Sequence, residues 1–316
     1  MKQNTPKNYQ IQKRPRIITS PNDKLAKLVF NLPAKEYPDV IKRGEPEHIV
    51  EKRKQGKIMA TTHFWLNIIG IREGEKFPTH FKIKGVGSVD ISRPLNEFDR
   101  AVFDACISAQ AAGAKSVTVD FLFRGMTGDD KKKTTPAEKA AILESIGKMM
   151  ITQIVIDFSE ARKKMKYDAP ARLVGAILPC QYVDGVKVNG QETAVIEFLK
   201  ESPLLTIARA KNQFISYTAA LLDLPNQNNT PLVIRIKSYV TRRVHEIIKH
   251  KMTPTITFED VFEKCRLDEA TKKQRQDARK IIFDVMEKLK AEDVIRSFEK
   301  IKDGRIYRAV KISYNA

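Results

Sequence analysis

Two clusters of cations carry the chemistry that this sequence offers. Lys272, Lys273, Gln276, Arg279 and Lys280 fall in one short run, and Lys300, Lys302, Arg305 and Arg308 crowd around the dipeptide Asp303-Gly304. Arg and Lys reach guanine O6 and N7 in the major groove and Gln pairs with adenine, a good bidentate pair giving about 1–3 kcal/mol of discrimination. A more diffuse set lies upstream: Lys131, Lys132 and Lys133 in a row, then Lys139, Lys148 and the stretch holding Arg162, Lys163, Lys164 and Lys166. It contains few base readers, so contact with a phosphate backbone is what it could supply. Solvation of outward faces is the rival explanation for each set, but two adjoining basic elements at the C-terminal end favour a polyanion. Neutralising roughly six phosphates would make affinity fall about a thousandfold between 50 and 200 mM salt.

Catalytic patterns are not found. The histidines His48, His63, His80, His245 and His250 do not pair with one another or with Cys106, Cys180 or Cys265 at ligand spacing. A DNA nickase would need paired histidines for a metal and a nucleophilic tyrosine, whereas Tyr217, Tyr239 and Tyr307 sit in core-like or hairpin patterns. No phosphate loop, nucleophile elbow or zinc-protease motif occurs. Asp129-Asp130 and Glu259-Asp260 fall in a loop and at a helix start, where solvation and capping account for them. The expectation is a binding protein with no cofactor and no metal, not an enzyme.

The elements that must position the C-terminal cations are legible. Thr230 and Pro231 open a helix over 231–250, with Leu232, Ile236, Val240, Val244 and Ile247 at helical spacing. A short helix follows Thr257, and a third over 271–290 buries Ala278, Ile281, Ile282, Val285 and Leu289, leaving the cations, and Phe283, on its outward side. Residues 294–301 and 305–312 flank Asp303-Gly304, a strong hairpin signal. This order is that of a winged helix, with a recognition helix at 271–290 and a wing at 294–312. Upstream, Leu95, Phe98, Val102, Cys106 and Ile107 share one face of a helix ended by Gly113, a short strand at 116–118 and a helix at 119–126 follow, and a third helix starts at Pro136 with Ala137, Ala140, Ala141, Ile146 and Met149 inward. Strands at 151–158 and 171–178 would form its wing, so the order repeats. A further hairpin brackets Asn189-Gly190, a helix starts at Pro203, and residues 214–222 read as β. Earlier, 45–58 reads as helical and 60–95 as β-rich.

Length and charge agree with this plan. The chain has 316 residues, 42% hydrophobic, with a formal net charge of +19. That field attracts polyanions, nucleic acid first among them. No apolar run is long enough to span a membrane, the basic N-terminus lacks the apolar core of a signal peptide, and three scattered cysteines suit a reducing, cytoplasmic home. The expected fold class is α+β, two tandem winged-helix domains: a basic, partly disordered extension over 1–59, a first domain with added β-strands over 60–200, and a base-reading second domain over 201–316.

The run 95–105, LNEFDRAVFDA, followed by FRGMTG at 123–128, resembles the first winged-helix domain of replication initiators carried by plasmids and mobile elements of Firmicutes. The resemblance covers about residues 60–312. It implies a sequence-specific initiator that binds repeated sites in double-stranded origin DNA, with Lys272, Lys273, Gln276 and Arg279 as readers and Lys131–Lys133 as backbone clamps. Homodimerisation and contacts with host replication proteins, an initiator and a helicase, are the partners it brings with it. Other readings of the same residues are a transcriptional repressor or partition factor, an origin nickase or relaxase, and an RNA-binding protein.

Overall fold

The computed structural model describes residues 15–26, 30, 50–51, 60–61, 80–83, 87–90, 95–157, 172–188, 191–210, 213–267 and 270–314. Helix and sheet are mixed along the chain. At the start, β1 (Ile17–Pro21) forms where disorder is expected from composition, and the short helix α1 (Asp23–Ala26) follows it. The reason is non-local: β1 pairs antiparallel with β11 (Phe214–Thr218), about two hundred residues away, from Ile17 opposite Thr218 to Pro21 opposite Phe214. The helical reading of 45–58 is corrected at β2 (Val50–Glu51), which pairs with β3 (Ala60–Thr61), and the rest of that range lies outside the described residues. β4 (His80–Ile83) and β5 (Gly87–Asp90) form a hairpin.

The first helical unit follows. Asn96 caps α2 (Glu97–Ala111), accepting from Phe98 and Asp99 N–H at 2.7 and 3.2 Å, while Asp99 accepts from Asn96 N–H at 2.9 Å. Those bonds satisfy donors that a helix start leaves open. β6 (Ser116–Thr118) leads into α3 (Val119–Thr127), where Thr118 Oγ1 accepts from Phe121 N–H at 3.2 Å. α4 (Pro136–Ile151) opens on a capping box between Thr135 and Glu138. Its inward set is Ile142, Ser145, Ile146 and Met149; Ala137 and Ala140, expected inside, are exposed because the first turn of α4 stands clear of the core.

Next come the hairpin of β7 (Gln153–Asp157) and β8 (Arg172–Ala176), then β9 (Cys180–Val188) and β10 (Gln191–Phe198). The sheet order is β6-β10-β9. The strand between the first two helices therefore pairs with the later hairpin, not with β7 and β8, which is where the expected wing was placed. α5 (Pro203–Ala210) closes this part, burying Leu204, Leu205 and Ala208 in the same core as Phe103, Leu122, Phe123 and Ile146.

β11 and a 3-10 turn (Ala219–Leu222) occupy 214–222, where β structure alone is expected. In α6 (Pro231–His250), Thr230 Oγ1 accepts from Val233 N–H at 3.3 Å and Pro231 takes the first helical position. β12 (Thr255–Thr257), α7 (Phe258–Lys264) and α8 (Lys272–Ala291) follow, then β13 (Ser297–Asp303) and β14 (Ile306–Ser313), joined through Gly304 at φ +59°. The sheet order β12-β14-β13 matches β6-β10-β9 in its connectivity, with Ile256 opposite Val310 as Val117 is opposite Ile196. A second core gathers Ile236, Val240, Val244, Phe258, Ile282 and Leu289.

The two cores meet along α2 and α6, and the seam is ionic. α2 is buried on nearly every side, taking Glu97, Asp99, Arg100, Asp104 and Ser108 out of water. Arg242 of α6, 0% exposed, reaches Glu97 at 2.6 Å, Asp23 at 3.4 Å and Asp104 at 3.5 Å. Arg100 holds Asp23 at 2.6 Å and lies 3.6 Å from Glu97. Glu246 accepts from Asp23 N–H and lies 3.5 Å from Arg243. Four carboxylates thus face three guanidiniums. Burial pushes Asp104 up to about 6 against the pull of Arg100 and Arg242, and pushes Glu246, beside the charge of Asp23, up to about 7. Burial acts on Asp23 too, but Arg100 and Arg242 outweigh it and hold that carboxyl well below its usual range.

A second tie crosses the seam nearby. The buried Lys237 Nζ donates to Thr127 O at 3.0 Å, Leu222 O at 2.8 Å and Asn229 Oδ1 at 2.6 Å. Three acceptors match the three N–H of an ammonium, although burial pulls its pKa down to about 7. Gly128, at φ +80°, lets the end of α3 touch the 219–223 segment: a Cβ there would lie 2.4 Å from Asp223 N and 2.7 Å from Ala219 O.

Candidate nucleic-acid interface

The best-formed basic surface is built on α8. Thr271 and Gln274 cap it reciprocally, at 3.2 and 2.8 Å, so its first turn is ordered where Lys272 and Lys273 stand. Ala278, Ile281, Ile282, Val285, Met286 and Leu289 fill one side. Lys272, Lys273, Gln276 and Lys280 are exposed on the other, and none of these side chains bonds to another described residue. This is the arrangement that helical spacing predicts.

Arg279 is placed differently. It is half-buried, its guanidinium 5.3 Å from the ring centroid of Phe262 and 5.9 Å from that of Phe258, both on α7. Desolvation, then the nearby Arg308, lowers its pKa. Arg279 braces α7 against α8 through cation–π contacts. Phe283, expected to face outward, is half-buried as well. It meets Phe258 at 5.7 Å and Tyr307 at 5.2 Å, both edge-on, and so joins α7, α8 and β14 in one aromatic seam.

The hairpin cations divide in the same way. Lys300 Nζ lies 4.3 Å above the Phe283 ring and Lys302 Nζ 4.8 Å above the Tyr307 ring, so each keeps its charge exposed on an aromatic seat. Arg308 is held between Glu259 at 3.1 Å and Asp303 at 3.4 Å, which ties the hairpin to α7 and partly neutralises it. Arg305, at the tip, is exposed and bonds to no other described residue; beside it Ile306 is 48% exposed.

In the first unit the upstream set separates. Lys131 and Lys133 are exposed on a loop pinned at both ends: Lys131 N–H donates to Asp129 at 2.8 Å, and Thr134 donates from N–H and Oγ1 to Asp120 at 2.9 and 2.6 Å. Lys132 is half-buried, and its carbonyl accepts from Arg124 at 3.1 Å. Lys139 is not free: it pairs with Asp184 of β9 at 2.6 Å, and that bond lowers the Asp184 pKa. Lys148 pairs with Glu144 at 2.9 Å and approaches Asp99 at 4.0 Å. Lys163 and Lys164 lie outside the described residues. α4 is thus close to electroneutral on its surface, unlike α8.

Residues absent from the expected sites are those of the seam, the half-buried Asp23 and the buried Glu97, Arg100, Asp104, Lys237 and Arg242. A signal for three of them is present in the sequence. Glu97, Arg100 and Asp104 recur at helical spacing inside an otherwise apolar helix, which marks a charged stripe that needs partners. Tyr217 and Tyr239 are buried, and burial raises the pKa of both phenols. Among the described residues, no group of three or more His, Cys, Asp or Glu could hold a metal ion, and no helix is long and apolar enough to cross a membrane.

No protein-family model and no curated protein matches the chain. Crystal structures of domains 2 and 3 of RctB are similar to it at 11% and 12% sequence identity, with TM-scores of 0.41 and 0.39. Each covers 75% of this chain and 90% of the other, and a likeness this low carries no inference.

Proposed function

We propose that the chain is a sequence-specific, double-stranded DNA-binding replication initiator, made of two winged-helix units and acting at repeated sites in the origin of a plasmid or mobile element. In this reading α8 enters the major groove, with Lys272, Lys273, Gln276 and Lys280 at base edges or flanking phosphates. The β13–β14 hairpin is the wing, and Arg305 meets the backbone. The β9–β10 hairpin is the wing of the first unit, whose grip rests on Lys131 and Lys133. The observation that carries the DNA reading is the capped α8, with one face in the core and the other bearing unpaired cations and Gln276, next to a hairpin tipped by Arg305. The origin role rests on the resemblance of residues 95–128 to initiators.

Footprinting of the full chain on the non-coding DNA beside its own gene tests this. Discrete protection over repeats is expected, and none at all refutes it. Gln276→Ala should relax preference at one base position by about 5- to 150-fold, the equivalent of 1–3 kcal/mol. Arg305→Ala should weaken every duplex alike. Identical effects from both would refute the division between reading and gripping. A transcriptional repressor or partition factor would use the same surface; maintenance of the element without the gene would favour that reading. Nicked circles from supercoiled origin DNA would favour a relaxase.

A further inference from the structure

Residues 15–26 and Phe30 cross both units and are stitched into each. β1 extends the second unit through β11, and its Ile18 lies in the second core, while Ala26 and Phe30 lie in the first. On the first unit, Thr19 N–H donates to Ser108 Oγ at 2.8 Å, Arg100 donates to Pro21 O at 2.8 Å, and the Phe30 ring sits 5.4 Å from that of Phe103. Pro15 lies directly on α3 at Gly125, where a Cβ would come within 2.8 Å of its ring. Beside the direct ties of Arg242 to Glu97 and of Lys237 to Thr127, one atom of the strap touches both units. Asp23 Oδ1 takes Arg100 of α2 at 2.6 Å and Arg242 of α6 at 3.4 Å, one guanidinium from each unit. Without that charge, the two buried guanidiniums would be left with Glu97 and, 3.5 Å from Arg242, Asp104.

We infer that this N-terminal strap, through Asp23, fixes the orientation of one unit against the other and so sets the spacing between the two stretches of duplex that the chain can hold at once. Spacing rests on the DNA-binding reading; orientation does not. Asp23 is a positioning residue that touches no DNA. With the units locked, inserting five base pairs between the two halves of a site turns one half to the opposite face of the duplex, since B-DNA repeats every 10–10.5 base pairs. With Asp23 uncharged, the units swivel and the insertion is tolerated.

The test uses the full chain, wild type and Asp23→Asn. Small-angle scattering reads orientation directly, and gel shifts read affinity for the footprinted site with zero to ten base pairs inserted at its centre. For wild type, a drop of at least tenfold at five inserted base pairs is expected; for Asp23→Asn, a drop under threefold and a larger maximum dimension. A folded Asp23→Asn protein with the wild-type scattering curve and spacing preference overturns the inference. If wild type binds no duplex, the DNA reading fails by itself and the scattering curves alone decide the strap. If Asp23→Asn does not fold, hydrogen exchange on wild type decides: Thr19 and Asp23 amides protected as strongly as the interiors of α2 and α6 support the strap, and exchange ten times faster or more overturns it.

Discussion

Replacing Arg242 with Met is the sharpest probe of the ionic seam. The guanidinium is fully buried and within 3.5 Å of three carboxylates, Glu97, Asp23 and Asp104, and Met keeps most of its length while removing the charge. A buried ion pair adds little net stability when formed, but removing one partner strands the other in a medium of low polarity, at a cost of about 3–5 kcal/mol. That is a large part of the roughly 5–15 kcal/mol that holds a typical domain folded. At about 2 °C per kcal/mol for a large domain, the melting temperature should fall by about 6–10 °C. The loss should depend on pH in one direction. Asp104, already raised to about 6 by burial, loses the pull of Arg242 and favours its protonated form further, so acid relieves the damage and the loss shrinks from pH 8 to pH 5. Urea unfolding at both pH values, with Arg242→Met/Glu97→Gln completing a double-mutant cycle, measures it. The double variant should be more stable than Arg242→Met alone. A loss below about 1 kcal/mol, or one equal at pH 5 and pH 8, would refute the reasoning.

Gly128→Ala and Gly113→Ala form a matched pair: both glycines have φ above +80° or equal to it, but only Gly128 has backbone within 3 Å of the added Cβ. Gly113→Ala should cost about 1–2 kcal/mol for the left-handed conformation and Gly128→Ala clearly more, read by denaturant unfolding; equal losses would mean that the 219–223 segment moves aside freely. In wild type, Asp104 at about 6 and Glu246 at about 7 stand above their ordinary 3.8 and 4.5, so the native state holds extra protons and stability falls as pH rises from about 4 through 7. Lys237, at about 7 against an ordinary 10.5, acts oppositely, and stability should recover from pH 7 toward 10. Urea midpoints at pH 5, 7 and 9 should therefore show a minimum near neutrality, with the alkaline rise lost in Lys237→Met.

The parts of this fold that local chemistry dictates were readable from the chain. Thr230-Pro231 and Thr271 start their helices, Asp303-Gly304 turns its hairpin, and the outward positions of Lys272, Gln276 and Lys280 follow from spacing alone. What escaped depends on pairing between distant residues. Nothing local in Ile17–Pro21 announces Phe214–Thr218 as its partner, and β6 pairs with β10 past the intervening antiparallel pair of β7 and β8. Phe283 follows the same rule, because its cover comes from Tyr307 and Lys300 on the folded-back hairpin. Within the candidate site, spacing shows which face a cation takes, but whether a carboxylate waits there, as Asp184 does for Lys139, is a matter of tertiary contact.

The aromatic seats under Lys300 and Lys302 bear on temperature as well as on position. A free lysine side chain surrenders up to about 2 kcal/mol of rotamer freedom when it is immobilised. Here part of that ordering happens when the hairpin folds over Phe283 and Tyr307, before any polyanion arrives. Association through these two ammoniums then orders less on contact than association through the untethered Lys272, Lys273 and Lys280. Calorimetry should find a smaller entropic penalty at the hairpin than at the helix, and Phe283→Leu should raise it without removing a single positive charge.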